Sequence, residues 1–169
     1  MADWENMFDF ALEIILHSAL HRAEDRRVGG TDINQRIIII HLDHATELLM
    51  KSFLIKNDYI IQEIDWNKLK SKGIKKGSKI EEEFFKKDRT LMFSDCLNII
   101  FSEIVLEEDD KNKINKFHTL RNKIQHRPIG LPLDKDEEIS NFVPVLKRFY
   151  LKMFPEFKGK IERLLFPEL

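Results

Sequence analysis

The sequence predicts an all-α fold, a bundle of four to five helices with a small β-hairpin insertion around residues 59–93. Three observations predict it. Apolar residues recur at steps of three and four along most of the 169 residues, the period of helices with one buried face. Two short β-prone runs, Tyr59-Ile60-Ile61 and Thr90-Leu91-Met92-Phe93, suit a small hairpin or a pair of edge strands. Hydrophobic residues make up 43% and charged residues 34%, the balance of a globular chain rather than a disordered one.

The first helix is expected from about Asp3 to Arg26, with Met7, Phe10, Ala11, Ile14, Ile15 and Leu20 near helical spacing. Val28-Gly29-Gly30-Thr31-Asp32 ends it, because paired glycines are poor helix formers and Thr31 or Asp32 can cap the next helix. That second helix, about Ile33 to Lys56, is the most apolar stretch and the expected centre of the bundle. The segment from Tyr59 to Thr90 carries Lys68, Lys70, Lys72, Lys75, Lys76 and Lys79, broken by Gly73 and Gly77, and reads as a surface insertion. Ser94 can cap a helix from about Asp95 to Glu107. Asp109 or Asp110 then starts another, with Ile114, Phe117, Leu120 and Ile124 as its buried stripe. Asp134 and Glu137 make a capping-box-like start to the next, which contains Pro144. A short tail helix follows Pro155, around Phe157 to Leu165.

No linker, repeat or low-complexity tract divides the chain, so residues 1–169 are expected to form one domain, burying about 70% of the unfolded surface. The N-terminus has no basic region before an apolar core, and no apolar run approaches ~18 residues. Neither a secretion signal nor a membrane span is expected. The lone Cys96 sits among apolar neighbours and reads as an inert core thiol, which suits the cytoplasm. A net charge of −1 gives no global basic field, so any nucleic-acid contact must be local.

The chemistry concentrates in Arg121-Asn122-Lys123-Ile124-Gln125-His126, followed by Arg127-Pro128. A guanidinium can hold charge building on a phosphate, and an imidazole can move a proton. At about 100° per residue, Arg121 and His126 lie some 140° apart on their helix, whereas His118, Asn122 and His126 align at steps of four. His118, Arg121, Asn122, Gln125 and His126 thus share the polar side opposite the apolar stripe. Pro128 disfavours helical geometry at Arg127 and so places His126 in the last turn. Arg36 and His41 repeat the spacing, but an apolar residue follows that arginine where Asn122 follows Arg121.

This segment resembles the signature of the HEPN superfamily (higher eukaryotes and prokaryotes nucleotide-binding domain): an Arg, a polar residue, then a His after four to six positions. The run His41-Leu42-Asp43-His44-Ala45-Thr46-Glu47-Leu48-Leu49-Met50-Lys51 also resembles an early helix of many HEPN proteins. The resemblance covers about 100 residues, from Ile33 to Arg127. It implies a metal-independent endoribonuclease working as a homodimer, with one motif from each protomer forming a composite cleft. The RNA 2′-hydroxyl would attack the adjacent phosphorus, leaving 2′,3′-cyclic phosphate and 5′-hydroxyl ends. His126 would be general base or acid, Arg121 would stabilise the phosphorane-like charge, and Asn122 would orient Arg121 or the phosphate. Glu47 is the expected acidic partner of Arg121, with pairing to Lys51 at i+4 the alternative. Lys123, Arg127, Gln125 and His118 are the expected RNA contacts. A toxin or phage-defence setting is implied, with an antitoxin as a possible partner. Toxins of this family paired with a nucleotidyltransferase often carry Tyr two residues after the motif His, where this chain has Pro128. The alternative is a non-catalytic HEPN-like module for dimerisation or nucleotide binding.

No cofactor or metal is expected. His17 with His21, and His41 with His44 and Glu47, have ligand-like spacings but read as packing residues. There is no Glu-x-x-His, phosphate-binding loop, dinucleotide fingerprint or nucleophile elbow.

Overall fold

The computed structural model describes residues 3–28, 31–64, 67, 72, 85–104, 106–126 and 135–165. The chain is an all-α helical bundle with a small two-stranded hairpin. In chain order the elements are α1 (Asp3–Val28), α2 (Asp32–Lys56), β1 (Gln62–Ile64), β2 (Phe85–Thr90), α3 (Phe93–Glu103), α4 (Glu108–His126), α5 (Lys135–Met153), a 3₁₀ turn (Pro155–Phe157) and α6 (Lys158–Leu165).

α2 is the central element and packs against α1, α3, α4 and α5. Its apolar residues Ile38, Ile39, Leu42, Leu49, Met50 and Leu54 are sealed from solvent. Thr31 caps it, its side chain accepting the backbone N–H of Asn34 at 3.2 Å. The helix ends where Asp58 turns left-handed (φ 62°) and the Tyr59 N–H returns to the Leu54 carbonyl at 2.9 Å.

Side-chain bonds fix the direction of each neighbour. Ser52 Oγ donates to the Trp4 carbonyl at 2.8 Å, and Gln35 lies against Asp25, so α1 runs antiparallel to α2. Lys135 bonds Asp32, and Tyr150 bonds Thr46, so α5 runs parallel to α2. Arg148 bonds Asp110, and Lys116 bonds Glu138, so α4 runs antiparallel to α5 and therefore to α2. The predicted stripe of α4 is as expected: Ile114, Phe117, Leu120 and Ile124 are all buried. Phe117 stacks on Phe142 of α5 with ring centroids 3.6 Å apart.

The hairpin is shifted from the strand-prone residues. β1 and β2 are antiparallel, pairing Gln62 with Thr90 and Ile64 with Phe85 across an irregular register. Tyr59 instead belongs to the reversal after α2, and Leu91 joins the hairpin's base through its N–H to the Ile61 carbonyl at 2.7 Å. Ser94 does not cap α3. The helix starts one residue after Met92, whose carbonyl accepts from Asp95 and Cys96, and this buries Phe93. Asp134, expected to open α5, and most of the lysine-rich insertion lie outside the described residues. No helix among the described residues is long and apolar enough to cross a membrane.

Candidate functional site

The site lies at the seam between α2 and α4. Asp43 is the one acidic residue on the buried face of α2, and its side chain is only 1% exposed. The antiparallel course of α4 brings His118, Arg121 and Asn122 level with it. His118 Nδ1 lies 3.1 and 3.0 Å from the two Asp43 carboxylate oxygens. Arg121 Nε lies 3.4 Å from Asp43 Oδ2, an ion pair without hydrogen-bond geometry. Arg121 Nη1 donates to Asn122 Oδ1 at 2.9 Å, and Asn122 Nδ2 lies 3.1 Å from His118 Nε2. Four side chains thereby close a loop.

Phe93, at the start of α3, covers the ring of His118. The two rings are nearly parallel (10°) with centroids 3.9 Å apart. A flat apolar wall on one face leaves the imidazole its edges for hydrogen bonding. The buried Asp43 carboxylate is matched by the Arg121 guanidinium, as a charge taken out of water requires.

Glu47 does not hold Arg121. It pairs with Lys51 at 2.6 Å, the alternative noted above, and Lys51 also donates to Thr90 Oγ1 at 2.8 Å. The reason is register. Arg121 is level with Asp43, one turn before Glu47, while Lys51 sits at i+4 on Glu47's own helix. Glu47 and Lys51 therefore tie α2 to the hairpin.

His126 is the last residue of α4 and is exposed, as are Lys123 and Gln125. Its Cα lies about 7.5 Å further along the helix axis than that of Arg121. Because α4 runs antiparallel to α2, His126 points toward the N-terminal end of α2. Arg127 lies outside the described residues. The second Arg/His spacing is not assembled: Arg36 bonds Asp32 at 2.5 Å, and His41 packs with His17 and His21.

Those three imidazoles form a cluster between α1 and α2, with ring centroids 4.6, 5.2 and 6.0 Å apart. His41 has its pKa lowered, first by burial and then by His17, His21 and His44. Among the described residues no group of three His, Cys, Asp or Glu is placed to hold a metal ion. Elsewhere, burial pushes the Cys96 thiol up to about 11.

The residue that sequence reasoning missed is Asp43. Its signal was present: an acid beside Leu42 and at helical steps from the apolar Ile39 and Met50, where a helix buried on that face needs an opposing cation or donor. His118 was expected on the polar face as an RNA contact, but it points inward to Asp43.

Helices and site together define an all-α bundle with an Arg–Asn–His–Asp loop between its second and fourth helices. Comparison with protein-family models, with curated proteins and with solved structures gave no match.

Proposed function

We propose that this protein is a metal-independent endoribonuclease of the HEPN type, acting on RNA in the cytoplasm as a homodimer. The observation that carries the reading is the setting of Arg121. The motif arginine is anchored by the buried Asp43 at Nε and by Asn122 at Nη1, while the motif histidine stands in solvent five residues on. Asn122 is the only described residue that accepts a hydrogen bond from Arg121. The rest of the guanidinium edge is then available to phosphate oxygens.

Arg121 takes the phosphate and stabilises charge on the pentacoordinate phosphorus, and His126 transfers a proton to or from the reacting oxygens. Lys123 and Gln125, both exposed, contact the RNA backbone beside the site. One exposed imidazole supplies one proton shuttle, so a second copy completes the acid–base pair. Leu20 on α1 (62% exposed) and Ile33 on α2 (70% exposed) are single apolar side chains that a second copy could cover. A toxin or phage-defence role, with an antitoxin as restraining partner, accords with such an enzyme.

The test is cleavage of a labelled single-stranded RNA in EDTA, with His126→Ala alongside. Wild-type cleavage to cyclic-phosphate ends, absent in the variant, is expected. Equal cleavage by both proteins would sink the assignment. The alternative is a non-catalytic module for dimerisation or nucleotide binding. That module would show nucleotide-dependent stabilisation and no RNA turnover.

A further inference from the structure

We propose that Asp43 and His118 are the positioning pair of this site, setting the guanidinium of Arg121 through the side-chain amide of Asn122. The role rests on reading Arg121 as the phosphate-holding group, but the geometry behind it does not depend on turnover.

Donor and acceptor parity fixes the three hydrogen-bonded links of the loop. Arginine only donates, so the amide oxygen of Asn122 must face Arg121 Nη1, 2.9 Å away. The amide nitrogen then faces His118 Nε2 at 3.1 Å and must find a lone pair there. The ring proton is therefore on Nδ1, and Nδ1 has the Asp43 carboxylate at 3.0–3.1 Å to receive it. Asp43 closes the loop by facing Arg121 Nε at 3.4 Å. Reversing the Asn122 amide would set its NH₂ against the guanidinium and its oxygen against a bare Nε2, so both neighbours would lose their partners.

Each member is also held from outside the loop. Phe93 fixes the plane of the His118 ring from α3. Asp43 is buried in α2 at 1% exposure and has no room to swing into water. The guanidinium is hydrogen-bonded at Nη1 and ion-paired at Nε, so its orientation is restricted before any phosphate arrives, which lowers the entropy cost of binding. His118 and Asp43 do not touch substrate in this scheme; they act through Arg121.

The experiment is long-range ¹H–¹⁵N spectroscopy of the histidine rings and the arginine Nε–H groups of the intact protein. His118 is assigned by the signals lost in His118→Gln, and Arg121 by those lost in Arg121→Lys. Wild-type His118 is expected as the neutral Nδ1–H tautomer, and Arg121 as a single sharp Nε–H peak. In His118→Ala that peak is expected to broaden or vanish, while His118→Gln keeps it because the glutamine oxygen can still accept from Asn122. Backbone amide spectra report whether each variant is folded. A wild-type His118 protonated on Nε2, or an Arg121 peak unchanged in folded His118→Ala, overturns the proposal. If His118→Ala does not fold, the wild-type tautomer and the His118→Gln peak decide. Absence of RNA cleavage would sink the nuclease reading without touching these signals.

Discussion

Asp43 and Arg121, 78 positions apart in the chain, form an ion pair of 3.4 Å in which the carboxylate is almost wholly removed from water. Such a pair depends on both halves. Removing one leaves the other charge buried and uncompensated, at a cost of about 3–5 kcal/mol.

Asp43→Leu is therefore expected to lower stability by about 3 kcal/mol or more, because Arg121 and His118 both lose their counterpart. Asp43→Asn keeps the shape and an acceptor oxygen and should cost clearly less. Urea unfolding followed by circular dichroism measures both, and an unchanged midpoint for Asp43→Leu would show that the pair contributes nothing.

Arg121→Lys preserves charge and loses shape. A lysine ammonium is a point charge that cannot span Asp43 and Asn122 as the planar guanidinium does. On the proposed nuclease reading, RNA cleavage should fall by about a hundredfold or more, the scale of losing one preorganised donor, with little change in melting temperature. Comparable cleavage by the lysine variant would contradict a guanidinium-specific role.

The histidine cluster predicts a pH dependence of stability. His41 has a folded pKa below its ordinary value of 6.5, so the unfolded chain binds that proton more readily. Stability then rises with pH, and the contribution is lost as pH falls through 6.5 toward the lowered folded value. The charges facing His41 are those of His17, His21 and His44. Melting temperatures from pH 8 to pH 5 should drop further for wild type than for His41→Gln, and equal slopes would refute the assignment.

Cys96 should resist modification. It is fully buried, and burial raises its thiol to about 11, so almost no thiolate exists at pH 8. Reaction with an aromatic disulfide reagent is expected only after denaturant is added; prompt reaction of the native protein would place the thiol at the surface.

Much of the fold was legible in the sequence because helical periodicity reports one-dimensional burial directly. The α4 stripe of Ile114, Phe117, Leu120 and Ile124, and the central place of α2, followed from apolar spacing alone. The hairpin strands were displaced because β propensity at Tyr59 and Ile60 was outweighed by the reversal at Asp58 and the return bond to Leu54. In the site, Arg121, Asn122 and His118 could be placed on one helix, but their partner could not. Choosing Asp43 over Glu47 required the level at which α4 crosses α2, a tertiary register that no single-helix pattern contains. The same missing register disguised His118, whose inward direction depends on Phe93 and Asp43 from two other elements.

The wide separation of Asp43 from His118 along the chain has a consequence for biosynthesis. α2 leaves the ribosome with a carboxylate on the face it will later bury, and that acid stays hydrated until α4 has been made and docked. Local contacts within α2 cannot assemble the arginine clamp, and no fragment ending before Arg121 contains it. Competence at this site is thus a late event in the life of each molecule, reached only when most of the chain has been synthesised and two remote helices have met in register.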